Sequence, residues 1–444
     1  MSAKQNKITY DVVILGAGYA GLIAALRLGR RKWGLRIALV NVRDQFLERV
    51  RLQESVAAAV TPRIPSISAF LAGTTIEFIS GSVKSLDADQ RRIRITTDTE
   101  EREIAFDQAV YALGSNIDVD VVPGVAEHAY RLDPGDGPRS AAALRSRLHQ
   151  CSDRPARVIA VGGGPTAIEA AGEIKTTWPG AEVTMVSQRC GDFAGAPVEK
   201  AVRAELGRLG VILIDGESIG VVRPSEVITK TGRSIACDIC VWSGGMRSSP
   251  IARAAGLATD TEGRVWVDPN LRSISHAHIL AVGDSAHPIA PTGAPYRKSA
   301  LAAGASGAHA ARVIVAQRAN LPLEPFSFST LAQAVAIGRM GVIYLLDRND
   351  LQIGYIVKGR TARRLRDFFL LVVIYGFKLE RRFSGSFFLP GRRRVSWRQA
   401  NDAMEKFQTA PKPETAQQPQ IAVYVERASD AAEIERHGTA LLSQ

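Results

Sequence analysis

Residues 10–31 read "YDVVILGAGYAGLIAALRLGRR": a short apolar run, Val12 to Leu15, then a glycine turn, then a helical pattern of Leu and Ala. The turn is Gly16-Ala17-Gly18-Tyr19-Ala20-Gly21. Gly16 permits the sharp reversal, Gly18 lets backbone approach a pyrophosphate, and Gly21 lets the helix lie close to its strand. Unpaired N–H groups at the start of that helix then face the anion. Strand, turn and helix in that order mark a dinucleotide site far better than the glycine spacing alone. The next strand-like run, "LRIALVN", ends at Asn41, twenty residues after Gly21. A carboxylate usually holds the ribose hydroxyls at this place. Asn41 can accept one such bond, without help from a charge.

The device recurs at residues 157–174, "RVIAVGGGPTAIEAAGEI". Val158 to Val161 form a strand, and Gly162-Gly163-Gly164-Pro165-Thr166-Ala167 open a helix. Two dinucleotide sites in one chain imply redox chemistry, one nucleotide kept as carrier and the other arriving as fuel. In the second unit "AEVTMVSQR" places Ser187 where an acid marks NAD use, and Arg189 follows it. Loss of a carboxylate beside a new guanidinium suits a 2′-phosphate, so NADPH is favoured and NADH stays open.

A chain of 444 residues exceeds one ordinary core and predicts two or three domains. The N-terminus, "MSAKQNKITYDVVILGAG", lacks a signal-peptide layout. No run reaches the roughly 18–20 apolar residues that span a bilayer. Cytoplasmic residence follows. The four cysteines, Cys151, Cys190, Cys237 and Cys240, are too few for a disulfide scaffold. "CDIC" falls in a strand-like run, where positions three apart point to opposite faces and suit neither a disulfide nor a metal pair. His276 and His278 share a strand face in this reading but have no acidic or cysteine neighbour in sequence, so no metal site is expected. The net charge is +12, and twelve Lys or Arg against two acids lie between Lys358 and Arg398. Such a patch fits an anionic surface.

Further motifs follow in order. "FDQAVYALGS" (106–115) resembles the strand that crosses back under a flavin nucleotide, and "ILAVGDSAHP" (279–288) resembles the second flavin motif. With "VWSGG" (241–245), the ordered set resembles the two-dinucleotide-binding flavoproteins of the pyridine nucleotide-disulfide oxidoreductase superfamily over residues 9–310, and most of all type II NADH dehydrogenase. The resemblance implies an α/β fold of two Rossmann-like FAD- and NAD(P)-binding domains, the second inserted in the first, plus a C-terminal region. Residues 1–118 and 270–325 would bind FAD, 119–269 NAD(P)H, 326–408 would dock a membrane or partner, and 409–444 form linker and tail.

By resemblance, FAD contacts fall on Gly16, Gly18, Tyr19, Ala20, Gly21, Asn41, Val83, Ala112, Gly114, Gly283, Asp284, Pro295 and Tyr296, with Asp284 on the ribityl chain. NAD(P)H contacts fall on Gly162, Gly164, Pro165, Thr166, Ala167, Ser187, Arg189 and Gly244. Glu169 matches a family glutamate near nicotinamide and flavin, an orienting residue or else a helix-surface ion-pair partner. The flavin itself is the redox centre. Backbone N–H groups at the helix opening after "PTGAPYRKSA" (291–300) would stabilise negative charge on the reduced ring.

This chain also departs from the family. "RDQFLERVRLQESVAAAV" (43–60) has no cysteine where disulfide reductases carry theirs, and none lies beyond Cys240. Dithiol relay and sulfide oxidation are therefore disfavoured. Ala294-Pro295-Tyr296 replaces the usual Ala-Gln on the quinone side. Three functions stay open: a peripheral membrane NAD(P)H:quinone oxidoreductase, a soluble reductase of an iron–sulfur protein, and a flavoprotein with a mainly binding role. Nucleic acid is disfavoured, because the basic segment lacks aromatics interleaved on a polar face.

The segment 363–382, "RRLRDFFLLVVIYGFKLERR", is too short to span. Its charges gather at both ends, so it is no well-formed amphipathic helix on this reading, and its β-branched run also fits a buried strand. Residues 358–398 are thus either a monotopic anchor at the inner face of the cell membrane or a core or homodimer segment. Phe387 and Phe388 in "SGSFFLPG" would add a second apolar contact. "TAPKPETAQQPQ" (409–420) reads as linker, and the residues after it as a short strand and helix.

Overall fold

The computed structural model describes residues 9–29, 33–57, 65–135, 137–151, 154–288, 298–347 and 352–387. The expectations for Pro295, Tyr296, Phe388 and the tail lie outside them.

Two parallel sheets dominate. In the first, the strands Ile76–Ser80, Ile37–Asn41, Thr9–Leu15 and Glu101–Tyr111 lie side by side, followed by the antiparallel Arg92–Thr96 and Ser82–Asp87. The chain then leaves to build the second sheet, ordered Ile212–Ile214, Glu182–Val186, Arg157–Val161, Ile239–Trp242 and Ala129–Tyr130. It returns at Ile279–Ala281, which pairs in parallel with the C-terminal end of Glu101–Tyr111. The second Rossmann-like unit is therefore threaded into the first. Val12, Val13, Ile14 and Leu15 are fully buried, as a parallel strand covered on both faces requires.

The helix after the first glycine turn, Tyr19–Leu28, packs along the helix Ala300–Arg318. This contact is close because Gly307 stands where a β-carbon would lie 2.0 Å from the Ala20 carbonyl oxygen. Ser299 caps the second helix by accepting from the Ala302 amide at 3.1 Å, satisfying one of its orphan donors.

A three-stranded antiparallel meander follows, Ala332–Ile337, Met340–Leu346 and Gln352–Lys358, and then the helix Gly359–Arg382. Segment 363–382 is thus helical throughout, not a strand. The expectation that it is no well-formed amphipathic helix is also corrected. Leu365, Phe368, Phe369, Leu371, Val372, Tyr375 and Leu379 are exposed, while Arg366 and Glu380 are buried. The helix is amphipathic with its polar contacts turned inward. Partners remote in sequence explain this: the Glu380 carboxylate accepts from Arg27 Nε at 2.9 Å and Nη2 at 3.0 Å, and from the amides of Gly385 and Phe387. A buried charge so fully bonded is tolerated, whereas removing one partner costs about 3–5 kcal/mol. Phe377, fully buried, completes the anchor against Tyr19, Phe46 and Phe70. Phe387, expected as an exposed apolar contact, is instead buried beside Gly304 and Gly376.

His276 and His278 lie in the turn before Ile279–Ala281 rather than on a strand, His276 near Asp89 and His278 bonded to the Ala88 carbonyl.

Candidate functional site

The first glycine turn is built from three directions. Gly16 has φ +96°, and a β-carbon there would lie 2.4 Å from the Ala112 carbonyl oxygen, so only glycine fits. Ala112 in turn donates its amide to Leu15. Gly21 is tighter still, with a β-carbon placed 1.8 Å from the Gly16 carbonyl. At Gly18 no atom lies within 4 Å of such a β-carbon, which leaves the outer face of the turn open. Tyr19 and Ala20 are buried beneath it. Asn41 reaches over from the neighbouring strand: its Oδ1 accepts from the Ala17 amide at 3.0 Å and its Nδ2 donates to Arg43. Asn41 therefore fixes the turn, and a carbonyl oxygen retains a second lone pair for a ribose hydroxyl. Val83, on Ser82–Asp87, packs against the same core.

The returning strand closes the site. Gly283 carries φ +62° and donates its amide to Ser306 Oγ at 2.9 Å. Asp284 accepts from Ser115 Oγ at 3.1 Å, and Ser285 Oγ accepts from the Gly114 amide at 2.6 Å. Gly114 and Asp284, 170 positions apart in order, are thus stitched together. Ser115, Ser285 and Ser306 were not singled out from sequence, although two of them adjoin the motif residues. The turn, walled by Ala112 and Asn41 and open only at Gly18, together with the half-buried Asp284 and the small residues around it, fits a flavin nucleotide.

The second turn is less enclosed. Gly162 has φ +126°, Gly164 precedes the helix Pro165–Thr177 with nothing within 4 Å of a β-carbon, and Pro165 and Thr166 are exposed. Ala167 is buried. The loop after Glu182–Val186 touches the turn: Gly191 donates its amide to the Gly163 carbonyl at 3.0 Å. Ser187 is buried at the strand end. Gly244 lies against the Trp242 ring, whose Nε1 donates to its carbonyl. Arg189 forms a two-point pair with Glu199, 3.0 and 2.8 Å long, a contact that the sequence did not signal.

Glu169, on the second turn's helix, faces the C-terminal meander. Its Oε1 accepts from the Ala336 amide at 2.9 Å and lies 3.2 Å from Arg366 Nη2. Burial raises its carboxyl above the ordinary glutamate value, opposed mainly by Arg366 and the Ala336 amide. Arg366 also bonds Glu54 and the Val50 carbonyl. One C-terminal helix therefore pairs with both turn helices, at Glu169 and at Arg27.

The four cysteines are free. Burial pushes the Cys190 and Cys237 thiols up to about 11 and Cys240 higher, the reverse of an activated thiolate. Among the described residues no three His, Cys, Asp or Glu side chains form a metal-holding group.

Residues 10–308 match the pyridine nucleotide-disulphide oxidoreductase family. The chain belongs to this family. It is an oxidoreductase of the class that uses a flavin and a pyridine nucleotide. It is 29% identical over 296 residues to an NADH dehydrogenase-like protein of Mycobacterium tuberculosis, covering 62% of this chain and 72% of that one. It is 25% identical over 352 residues to the demethylphylloquinone reductase of Synechocystis, covering 75% and 85%. The sulfide:quinone oxidoreductase of Aquifex aeolicus shares the fold, with a TM-score of 0.70 over 93% of this chain and 98% of that one at 16% identity.

Proposed function

We propose that this protein is an FAD-dependent oxidoreductase that takes hydride from NADH or NADPH and delivers electrons to a quinone at a membrane surface, without a redox disulfide. The observation that carries it is the pairing of an enclosed first turn with an open second one. A retained nucleotide needs the first, and a nucleotide that enters and leaves needs the second. The quinone reductase among the relatives supports the acceptor class.

Gly16, Gly18, Tyr19, Ala20 and Gly21 would hold the FAD pyrophosphate, Asn41 and Val83 its adenosine half, and Ala112, Gly114, Gly283 and Asp284 its ribityl end. FAD, when bound, supplies the two-electron carrier. Gly162, Gly164, Pro165, Thr166 and Ala167 would seat the pyridine nucleotide, with Ser187 and Arg189 at its adenosine ribose and Gly244 near its other half. Glu169 orients the nicotinamide side from a carboxylate held by Arg366.

The exposed face of Gly359–Arg382 supports peripheral binding at the inner face of the cell membrane. No described helix is long and apolar enough to cross a bilayer. At about 36 Å, this one suits lying along the surface, with Phe368, Phe369, Leu371, Val372, Tyr375 and Leu379 toward lipid. Arg364, Lys378, Arg381 and Arg382 would meet headgroup phosphates.

The test is anaerobic bleaching of the bound flavin by a pyridine nucleotide, followed by recovery of its colour on adding a water-soluble quinone. Bleaching without recovery by quinone, but with recovery by a ferredoxin, would move the acceptor to an iron–sulfur protein. Phe368→Glu with Leu371→Glu should abolish co-sedimentation with anionic vesicles. Removing the helix is a poor test, because Phe377 and Glu380 belong to the core.

A further inference from the structure

Arg189 seen alone favours a 2′-phosphate; its surroundings reverse that. The fork of its Nε and Nη2 is filled by Glu199, and its remaining Nη1 lies 3.9 Å from Asp192. Arg203 sits 3.8 Å from Glu199 and 2.6 Å from Asp215. Asp215 also accepts from the Cys190 amide at 2.9 Å. Burial alone would raise the Asp215 carboxyl, yet the Cys190 amide and Arg203 hold it below the ordinary range. Two guanidiniums thus face three carboxylates at the end of the second strand of the second unit. The Nε/Nη2 fork is thus closed to a phosphate, and a phosphate approaching the remaining Nη1 would sit beside Asp192.

We infer that Glu199 is a specificity-determining residue: by occupying Arg189 it makes the second site select NADH over NADPH. This rests on the pyridine-nucleotide reading of the second turn given above. The placement is direct. Gly163 contacts the loop carrying Arg189, a β-carbon there lying 2.4 Å from the Arg189 carbonyl oxygen and 3.2 Å from Ser187 Oγ. Ser187 and Arg189 occupy the strand end where a ribose 2′ position is met. An added dianion would approach Glu199, Asp192 and Asp215 together. A neutral 2′-hydroxyl would not suffer this repulsion, and the buried Glu199 cannot swing out to solvent as an exposed carboxylate does.

The test measures calorimetric binding of 5′-AMP and 2′,5′-ADP to the flavin-loaded full chain, with NADH and NADPH bleaching rates beside it. The wild type should bind 5′-AMP more tightly. Glu199→Gln keeps the shape, removes the charge, and should shift the binding ratio at least tenfold toward 2′,5′-ADP. Adding Arg189→Ser to that variant should cancel the shift. Asp192→Asn, at an exposed position that does not threaten folding, should move the ratio two- to threefold the same way. Wild-type preference for 2′,5′-ADP, or a ratio unmoved in both single variants, overturns the gate while leaving the nucleotide site in place. Failure of both fragments to bind any variant, with no bleaching by either nucleotide, overturns the site itself and the gate with it.

Discussion

Gly21 and Ala167 stand at the same place in the two glycine turns. A β-carbon at the first would lie 1.8 Å from the Gly16 carbonyl, while at the second it is already present and buried. Around the first turn, Ala112, Asn41, Gly283 and the helix carrying Gly307 close every side but that of Gly18. Around the second, the helix start is exposed and the loop beyond it is held by ion pairs. The first is a socket closed by a strand from far along the chain, and the second is a landing open to solvent. On the proposed reading the same local motif serves retention in one unit and exchange in the other, and the difference lies in what the rest of the chain brings to it.

Substitutions should expose this asymmetry. Gly21→Ala or Gly307→Ala forces backbone apart, and overpacking of about 1–3 kcal/mol or more should leave little soluble, flavin-coloured protein. Ala167→Gly should cost only about 1 kcal/mol, the helix propensity difference. Thermal unfolding and visible absorbance of the purified proteins compare the two; equal losses would abolish the contrast.

Glu380→Ala leaves Arg27 buried without its carboxylate and should lower stability by about 3–5 kcal/mol. Denaturant unfolding measures it, and a loss under about 1 kcal/mol would mean that Arg27 finds another partner.

If Glu169 orients the nicotinamide side as proposed, the matching pair at the second turn should affect activity as well as stability. Because burial raises the Glu169 carboxyl and Arg366 opposes that rise, its deprotonation falls above the usual carboxylate range. Arg366→Gln should push it to higher pH still, since the opposing charge is gone. Flavin reduction rates across pH should show a step that moves upward in Arg366→Gln and vanishes in Glu169→Gln. A step unmoved by both would detach Glu169 from the reaction.

The smallest effect is expected at Asn41→Asp. A charged acceptor strengthens the bonds from the Ala17 amide and a ribose hydroxyl, but it faces the Arg43 carbonyl that Asn41 Nδ2 now satisfies. A two- to fivefold slower loss of flavin on dilution is expected, about 1 kcal/mol at most.

The two glycine turns and the strands that lead into them were legible because each requirement is local: Gly16 needs its positive φ wherever the chain goes next, and Val12 to Leu15 are apolar because both sheet faces are covered. The C-terminal helix was not. Its inward face is fixed by Arg27, Glu54 and Glu169, each roughly 200 to 350 residues away, so no periodicity within 363–382 reveals that Arg366 and Glu380 point in while Phe368 and Leu371 point out. Phe387 misled for the same reason, since the gap it fills is made by Gly304. Arg189 invited a phosphate because Glu199, on the following helix, carries no motif.

The inward charges of the C-terminal helix also act as a rotational lock. A helix seated by hydrophobic contact alone can roll to hide a greasy stripe when its lipid is removed. Rolling this one by a third of a turn would tear Glu380 from Arg27 and Arg366 from Glu169 at once, stranding two ion pairs in a poorly solvated interior. The apolar stripe therefore stays on display, and on the proposed reading detergent or another copy of the chain would meet the same surface that lipid does.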